Sequence, residues 1–137
     1  MTDSTTDATR AVVNQLLERL GAGDIAGVVD LFTEDAHWEI PGEPDIAPWV
    51  GPRKTHEIAD FFQTMGEHTE RELFEIDRIV VDGPYAVLIG RARVIVRATD
   101  QIIDTPFAVD LVVNPEGRIN RYYMFEDSLG VARAMQS

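Results

Sequence analysis

Three side chains toward the C-terminal end have the chemical types and the spacing for proton transfer. Asp110 lies inside the apolar run Phe107-Ala108-Val109-Asp110-Leu111-Val112-Val113. Strand alternation gives it the same face as Ala108 and Val112. An ionised carboxylate on an apolar face is unfavourable unless paired, and remaining protonated avoids that cost. A neutral buried carboxylic acid can donate a hydrogen bond to a developing oxyanion. Further on, Tyr122, Met124 and Glu126 alternate along a second strand-like run and share one face. If that face is the interior, Asp110 and Glu126 form a carboxyl pair, one shifted upward by the other, which supplies an acid and a base. Tyr122 then offers an orienting phenol. Each residue has a plainer reading as well. Asp110 can be hydrogen-bonded to a neighbouring strand, Glu126 can cap a tail helix beside Asp127, and Tyr122 can be a core residue with its hydroxyl at the rim.

Other chemistries find little support. The 137 residues contain no cysteine, which excludes disulfides, thiolate metal sites and cysteine nucleophiles. No His/Asp/Glu spacing reads as a metal site, and there is no Gly-rich phosphate loop or Gly-x-Ser-x-Gly elbow. His37 alternates with Trp38 and is expected to face outward, and His68 falls in a polar loop. His56, in the first turn of a helix, borders the mouth of any pocket or is simply solvated. Twelve basic against 24 acidic residues give a formal charge of −12, which disfavours nucleic-acid partners. No run approaches the ~18 apolar residues of a membrane helix, and the polar start Met1-Thr2-Asp3-Ser4-Thr5-Thr6-Asp7 is no secretory signal. A cytoplasmic protein is expected, with no cofactor and no membrane or nucleic-acid partner.

The elements that must position these groups follow from periodicity. After a polar tail, 1–7, expected to be disordered, Val12, Val13, Leu16, Leu17 and Leu20 recur at helical spacing until Gly21. Asp24 can cap a short second helix with Ile25, Val28, Val29 and Phe32 on its apolar face. A strand is expected over 36–40, a proline-rich loop over 43–52, and a third helix capped by Thr55 that presents Ile58, Phe61, Phe62 and Met65. Strands over 73–81, 85–98, 102–113 and 118–125, joined by tight turns, predict an antiparallel meander. Leu129, Val131, Ala132 and Met135 close the chain as a short helix.

Helices first and strands after define an α+β domain over 8–137: three N-terminal helices on the concave face of a curved, cone-shaped, mostly antiparallel sheet. Such a cone holds a mostly apolar pocket. Trp38, Ile40, Trp49, His56, Phe61 and Met124 are its expected ligand-binding residues, with Trp49 a lid or a dimer contact. Leu88, Gly90, Ala92 and Val94 suit a floor, Gly90 and Ala92 leaving room for ligand. Arg91, Arg93 and Arg97 then lie on the convex face.

The chain resembles the SnoaL-like and ketosteroid isomerase-like branch of the nuclear transport factor two-like superfamily. The resemblance rests on Gly23-Asp24-Ile25-Ala26-Gly27-Val28-Val29-Asp30-Leu31-Phe32, Asp35-Ala36-His37-Trp38-Glu39-Ile40-Pro41, Gly51 with Ile58-Ala59-Asp60-Phe61-Phe62, and Gly117-Arg118-Ile119. It implies an α+β barrel-like fold and a homodimer through the convex face. It also aligns Asp110 with the protonated oxyanion-hole aspartate of the isomerases, given one gap. The general-base position is taken by Ile40 and the first-helix tyrosine by Leu16, so steroid isomerisation itself is not expected. The resulting expectation is a cofactor-independent isomerase or cyclase acting on an apolar, oxygen-bearing metabolite such as a polyketide-like or terpenoid ketone. Asp110, Glu126 and Tyr122 would be its catalytic residues. An epoxide hydrolase, or a binding protein that only shelters an apolar ligand, are the alternatives, followed by a purely structural dimerisation domain.

Overall fold

The computed structural model of the protein describes residues 4–45 and 47–136. Its elements in chain order are α1 (Ser4–Gly21), α2 (Ile25–Val29), β1 (Phe32–Ile40), β2 (Gly51–Arg53), a 3-10 turn (Thr55–Glu57) leading into α3 (Ile58–His68), then β3 (Thr69–Asp82), β4 (Tyr85–Val96), β5 (Ile102–Val113), β6 (Ile119–Glu126) and α4 (Ser128–Met135). The six strands form one sheet in the order β2-β1-β6-β5-β4-β3. All neighbours are antiparallel except β1 and β6, which run parallel. The sheet is curved but unclosed, with β2 and β3 as its edges, the cone-shaped and mostly antiparallel sheet that was expected.

Curvature has a local cause. The β3–β4 register shifts twice, between Arg71 and Leu73 and between Ile76 and Arg78, and bulges of this kind bend a strand and increase its twist. The concave face carries alternate residues of each strand: Leu88, Val94 and Val96 of β4, Phe107, Val109 and Leu111 of β5, Ile119 and Tyr122 of β6. Against it pack Val12, Val13 and Leu16 of α1 and Ile58 and Phe61 of α3. Among these, Val13, Leu16, Ile58 and Leu111 are fully buried, each contributing about 1.5–3 kcal/mol of burial free energy.

Several boundaries differ from expectation for identifiable reasons. Helix α1 already includes residues 4–7, because Thr6 and Thr9 straddle the β3–β4 turn: Gly83 N donates to Thr6 Oγ1 at 2.9 Å and Thr9 Oγ1 donates to Gly83 O at 2.7 Å. Residues 1–3 of the expected tail lie outside the described residues. Asp24 caps α2 as expected, accepting from Gly27 N at 2.9 Å, although the helix stops at Val29 and Phe32 opens β1. Thr55 does not cap α3. Its hydroxyl donates to Thr33 O at 2.6 Å and ties the helix start to β1, while Glu57 receives the Lys54 N–H. The short edge strand β2 was not expected because it contains Pro52, which is tolerated only at such an edge.

Candidate active site

The concave sheet, α3, the α1–α2 turn and Trp49 line a cavity of about 480 Å³. Its floor is aromatic. The parallel β1–β6 register sets Trp38 beside Tyr122, and their rings stack at 4.1 Å with 10° between planes. Phe61 and Phe62 of α3 meet the same indole at 5.3 and 5.8 Å. Ile40, Met65, Phe74, Ala92, Val94, Ile103, Met124 and Val131 complete a largely apolar lining. Trp49 closes the cavity from the loop and is only 2% exposed. The Arg53 guanidinium holds it there by donating to the carbonyls of Trp49 (3.0 Å) and Pro48 (3.3 Å).

Glu126, the last residue of β6, is the more buried of the two acidic groups that line the cavity, the other being the exposed Glu70. It sits across from Phe107 of β5, and its Oε1 is buried without a hydrogen-bond partner among the described residues. Burial, helped by the neighbouring Asp127 carboxylate, raises its pKa from 4.5 to about 7. Buried Tyr122 has its phenol pKa pushed up, first by burial and then by the Glu126 charge. The phenol therefore stays a proton donor while Glu126 can exchange a proton near neutrality. Trp38 Nε1 is a second buried polar atom with no partner among the described residues.

Asp110 is the correction. The inner face of β5 belongs to Phe107, Val109, Leu111 and Val113, all buried, and Asp110 points to the convex side with Ala108 and Val112. There it accepts from Arg121 Nε at 2.8 Å, and the two side chains are 43% and 38% exposed. It is an outer-face ion pair separated from the cavity by the sheet, so no carboxyl pair with Glu126 forms. His56 is exposed on the 3-10 turn and does not line the cavity. The structure brings together Trp38, Ile40, Trp49, Phe61, Tyr122, Met124 and Glu126, and leaves out Asp110 and His56.

Two further expectations change. Gly90 does not make room for ligand: a Cβ there would fall 2.7 Å from the Phe107 ring and collide with the Glu75 carbonyl, so the glycine serves strand packing. Arg91 and Arg93 lie outward, paired with Asp104 at 2.7 and 3.6 Å, but Arg97 lines the cavity. Strand β4 ends at Val96, and the turn that follows carries Arg97 over the end of α3, where its Nε donates to Gly66 O at 3.3 Å. Sequence reasoning also missed Thr105, Glu70 and Arg71 as lining residues. Thr105 was legible as a hydroxyl on the same alternation as Phe107 and Val109. Its Oγ1 accepts from Asp127 N at 2.9 Å and so fixes the strand end that bears Glu126. Among the described residues, no group of three or more His, Asp or Glu is placed to hold a metal ion, and no helix is long and apolar enough to cross a membrane.

Comparison with solved structures finds the same architecture. An NTF2-like protein from Burkholderia xenovorans LB400 is 25% identical, with a TM-score of 0.84 over 96% of this chain and 98% of that one. An LEH-like epoxide hydrolase from M. tuberculosis is 18% identical, with a TM-score of 0.70 over 95% and 90% of the two chains. A proposed polyketide cyclase from Xanthomonas campestris pv. campestris is 15% identical, with a TM-score of 0.75 over 97% and 100%. At those identities the last two speak to fold alone. No curated protein matches the chain. The family model for the SnoaL-like domain matches residues 13–122, from α1 through the Tyr122 of the aromatic floor. With its open cone and apolar cavity, the chain belongs to the SnoaL-like domain family.

Proposed function

We propose that the protein is a cofactor-independent acid–base enzyme of the isomerase or cyclase type, acting on an apolar, oxygen-bearing metabolite such as a polyketide-like or terpenoid ketone. One observation carries this reading: Glu126, a carboxyl in an apolar cavity, has its pKa raised to about 7 by burial. A group that titrates near neutrality is suited to both accepting and returning a proton. Ionised Glu126 would take the proton from the carbon next to a carbonyl. The C–H electron pair becomes a C=C bond as the carbonyl π pair moves onto oxygen, and in a ketone with a β,γ double bond the proton returns from Glu126 to the γ carbon. The Tyr122 hydroxyl would donate to that oxygen, and the Trp38 and Phe61 rings would hold the flat enol.

The test is exchange of solvent deuterium into the carbon next to the carbonyl across a panel of cyclic and polyketide-like ketones, followed by NMR. The wild type should label at least one ketone, and Glu126→Gln should abolish that labelling. Labelling that persists unchanged in Glu126→Gln would sink the assignment. A second reading, a non-catalytic binding protein for an apolar ligand, is favoured by Ile40 at the usual base position and by the placement of Asp110 outside the cavity. It predicts ligand binding with no exchange. Epoxide hydrolysis needs a water-activating carboxylate with an acid opposite, a role for which Glu126 and Tyr122 would have to serve alone. The homodimer through the convex face is likewise a proposal. It is supported by exposed Val87 (39%) and Phe125 (50%) on that side, and sedimentation equilibrium tests it.

A further inference from the structure

The cavity has two chemically different ends. Glu126 stands at one, on β6. At the other, Arg71 of β3 and Arg97 after β4 line the mouth together with Glu70. Among the described residues neither arginine is in an ion pair, unlike the outward-facing Arg91, which meets Asp104, and Arg93, which meets Glu72 and Asp104. In a chain of formal charge −12, this mouth carries two guanidiniums against the single carboxylate of Glu70. Both are held without being neutralised. The Arg71 guanidinium lies 5.7 Å above the ring of Phe74, itself a lining residue, and Arg97 spends only its Nε, on the Gly66 carbonyl, leaving both terminal nitrogens free.

We infer that Arg71 and Arg97 receive a carboxylate at one end of an elongated apolar substrate whose reactive carbonyl reaches Glu126 at the other. This inference rests on the reading that the cavity is the substrate site. Sheet geometry bounds the length. Arg71 pairs with Val94, which pairs with Ile103, whereas Glu126 pairs with Phe107. Followed along the curved sheet, the backbones of the two ends are therefore three strand spacings, about 14 Å, and four residues, about 13 Å, apart, which is an upper bound on the span across the concave face. The polarity also sets orientation. Guanidinium forks bind carboxylates through paired N–H donors, while the Glu126 end repels an anion once it is ionised. An apolar acid thus enters with its carboxylate at the mouth and its body along the aromatic floor.

The test uses octanoate and 1-octanol as matched probes. The quenching of Trp38 and Trp49, both of which line the cavity, gives the readout at pH 8 and low salt. Octanoate should bind about tenfold more tightly than octanol, the scale of a hydrogen-bonded charge pair. The preference should shrink as salt is raised to 1 M. The double variant R71Q/R97Q should bind both probes alike, and Glu126→Gln should keep the preference. Equal binding by the wild type, or a preference that survives in R71Q/R97Q, overturns the inference while leaving the proton-transfer reading intact. Failure of both probes to bind removes the cavity as the substrate site and the inference with it. A wild type that labels no ketone, or labelling that persists in Glu126→Gln, with acid preference retained, counts against the catalytic reading alone.

Discussion

The two faces of the β1–β6 joint place similar side chains in opposite circumstances. On the inside, Trp38 and Tyr122 stack at 4.1 Å and are 2% and 5% exposed. On the outside, one residue along, His37 and Tyr123 stack at 5.8 Å, with the imidazole also meeting Glu39 at 2.8 Å. The carboxylates divide the same way. Asp110 on the convex side has a guanidinium partner and solvent, whereas Glu126 on the concave side has a buried Oε1 with no hydrogen-bond partner among the described residues. A carboxyl's value for proton transfer lies in what its surroundings withhold. Asp110 is satisfied, and Glu126 is left poised.

The sharpest way to break this contrast is to remove one ring from each stack. Trp38→Ala should cost about 3–5 kcal/mol in urea unfolding, the range for deleting a large buried aromatic. His37→Ala should cost less than about 1 kcal/mol, as exposed substitutions do. Equal costs would mean that the outer stack supports the joint as much as the inner one. Next in size is catalysis. Glu126→Gln should lower proton-exchange turnover at least about a hundredfold, while Asp110→Asn should leave it within about twofold, measured on the same ketone.

Stability against pH separates the carboxylates again. The folded-state pKa of Glu126 is raised from 4.5 to about 7, so the folded protein binds that proton more tightly than the unfolded chain does. The corresponding stability is fully present below about 4.5 and is lost as pH rises through about 7. Glu126→Gln, which never ionises, should escape that loss and unfold at higher urea than the wild type at pH 8, by roughly 2–3 kcal/mol. A Gln variant no more stable than the wild type at pH 8 would mean that Glu126 is better solvated than its position indicates. The smallest effect belongs to the outer pair. Asp110→Asn should cost under about 1 kcal/mol and less at high salt, because its ion pair is open to water.

Much of the architecture was legible. Strand β5 begins and ends where alternation and turn residues set it, and Asp24 caps α2 as its position before an apolar run requires. The strand face of Tyr122, Met124 and Glu126 was also readable, and it is the face that lines the cavity. Asp110 was misplaced although its face-sharing with Ala108 and Val112 was read correctly. Alternation tells which residues travel together and not which side is inside. The bulk of Phe107, Val109 and Leu111 decided that, and Arg121 on the adjacent strand was the available sign of an outer-face partner. Arg97 was lost for the opposite reason: the alternation was extended two residues beyond the end of β4. The tie of Thr6 and Thr9 to the distant Gly83 turn could not be seen at all, since it depends on how α1 lands on the sheet.

The parallel pairing of β1 with β6 has a consequence for how the molecule assembles. Trp38 and Tyr122 are neighbours across that joint yet more than eighty residues apart along the chain. The β3–β4 and β4–β5 hairpins close over short turns and can form early, whereas the β1–β6 joint bears the largest loop-closure entropy in the sheet. During synthesis Trp38 leaves the ribosome long before its stacking partner exists. The floor of the cavity is thus among the last pieces to be finished, and a substitution that weakens the stack should slow the final docking step of folding rather than the formation of the meander.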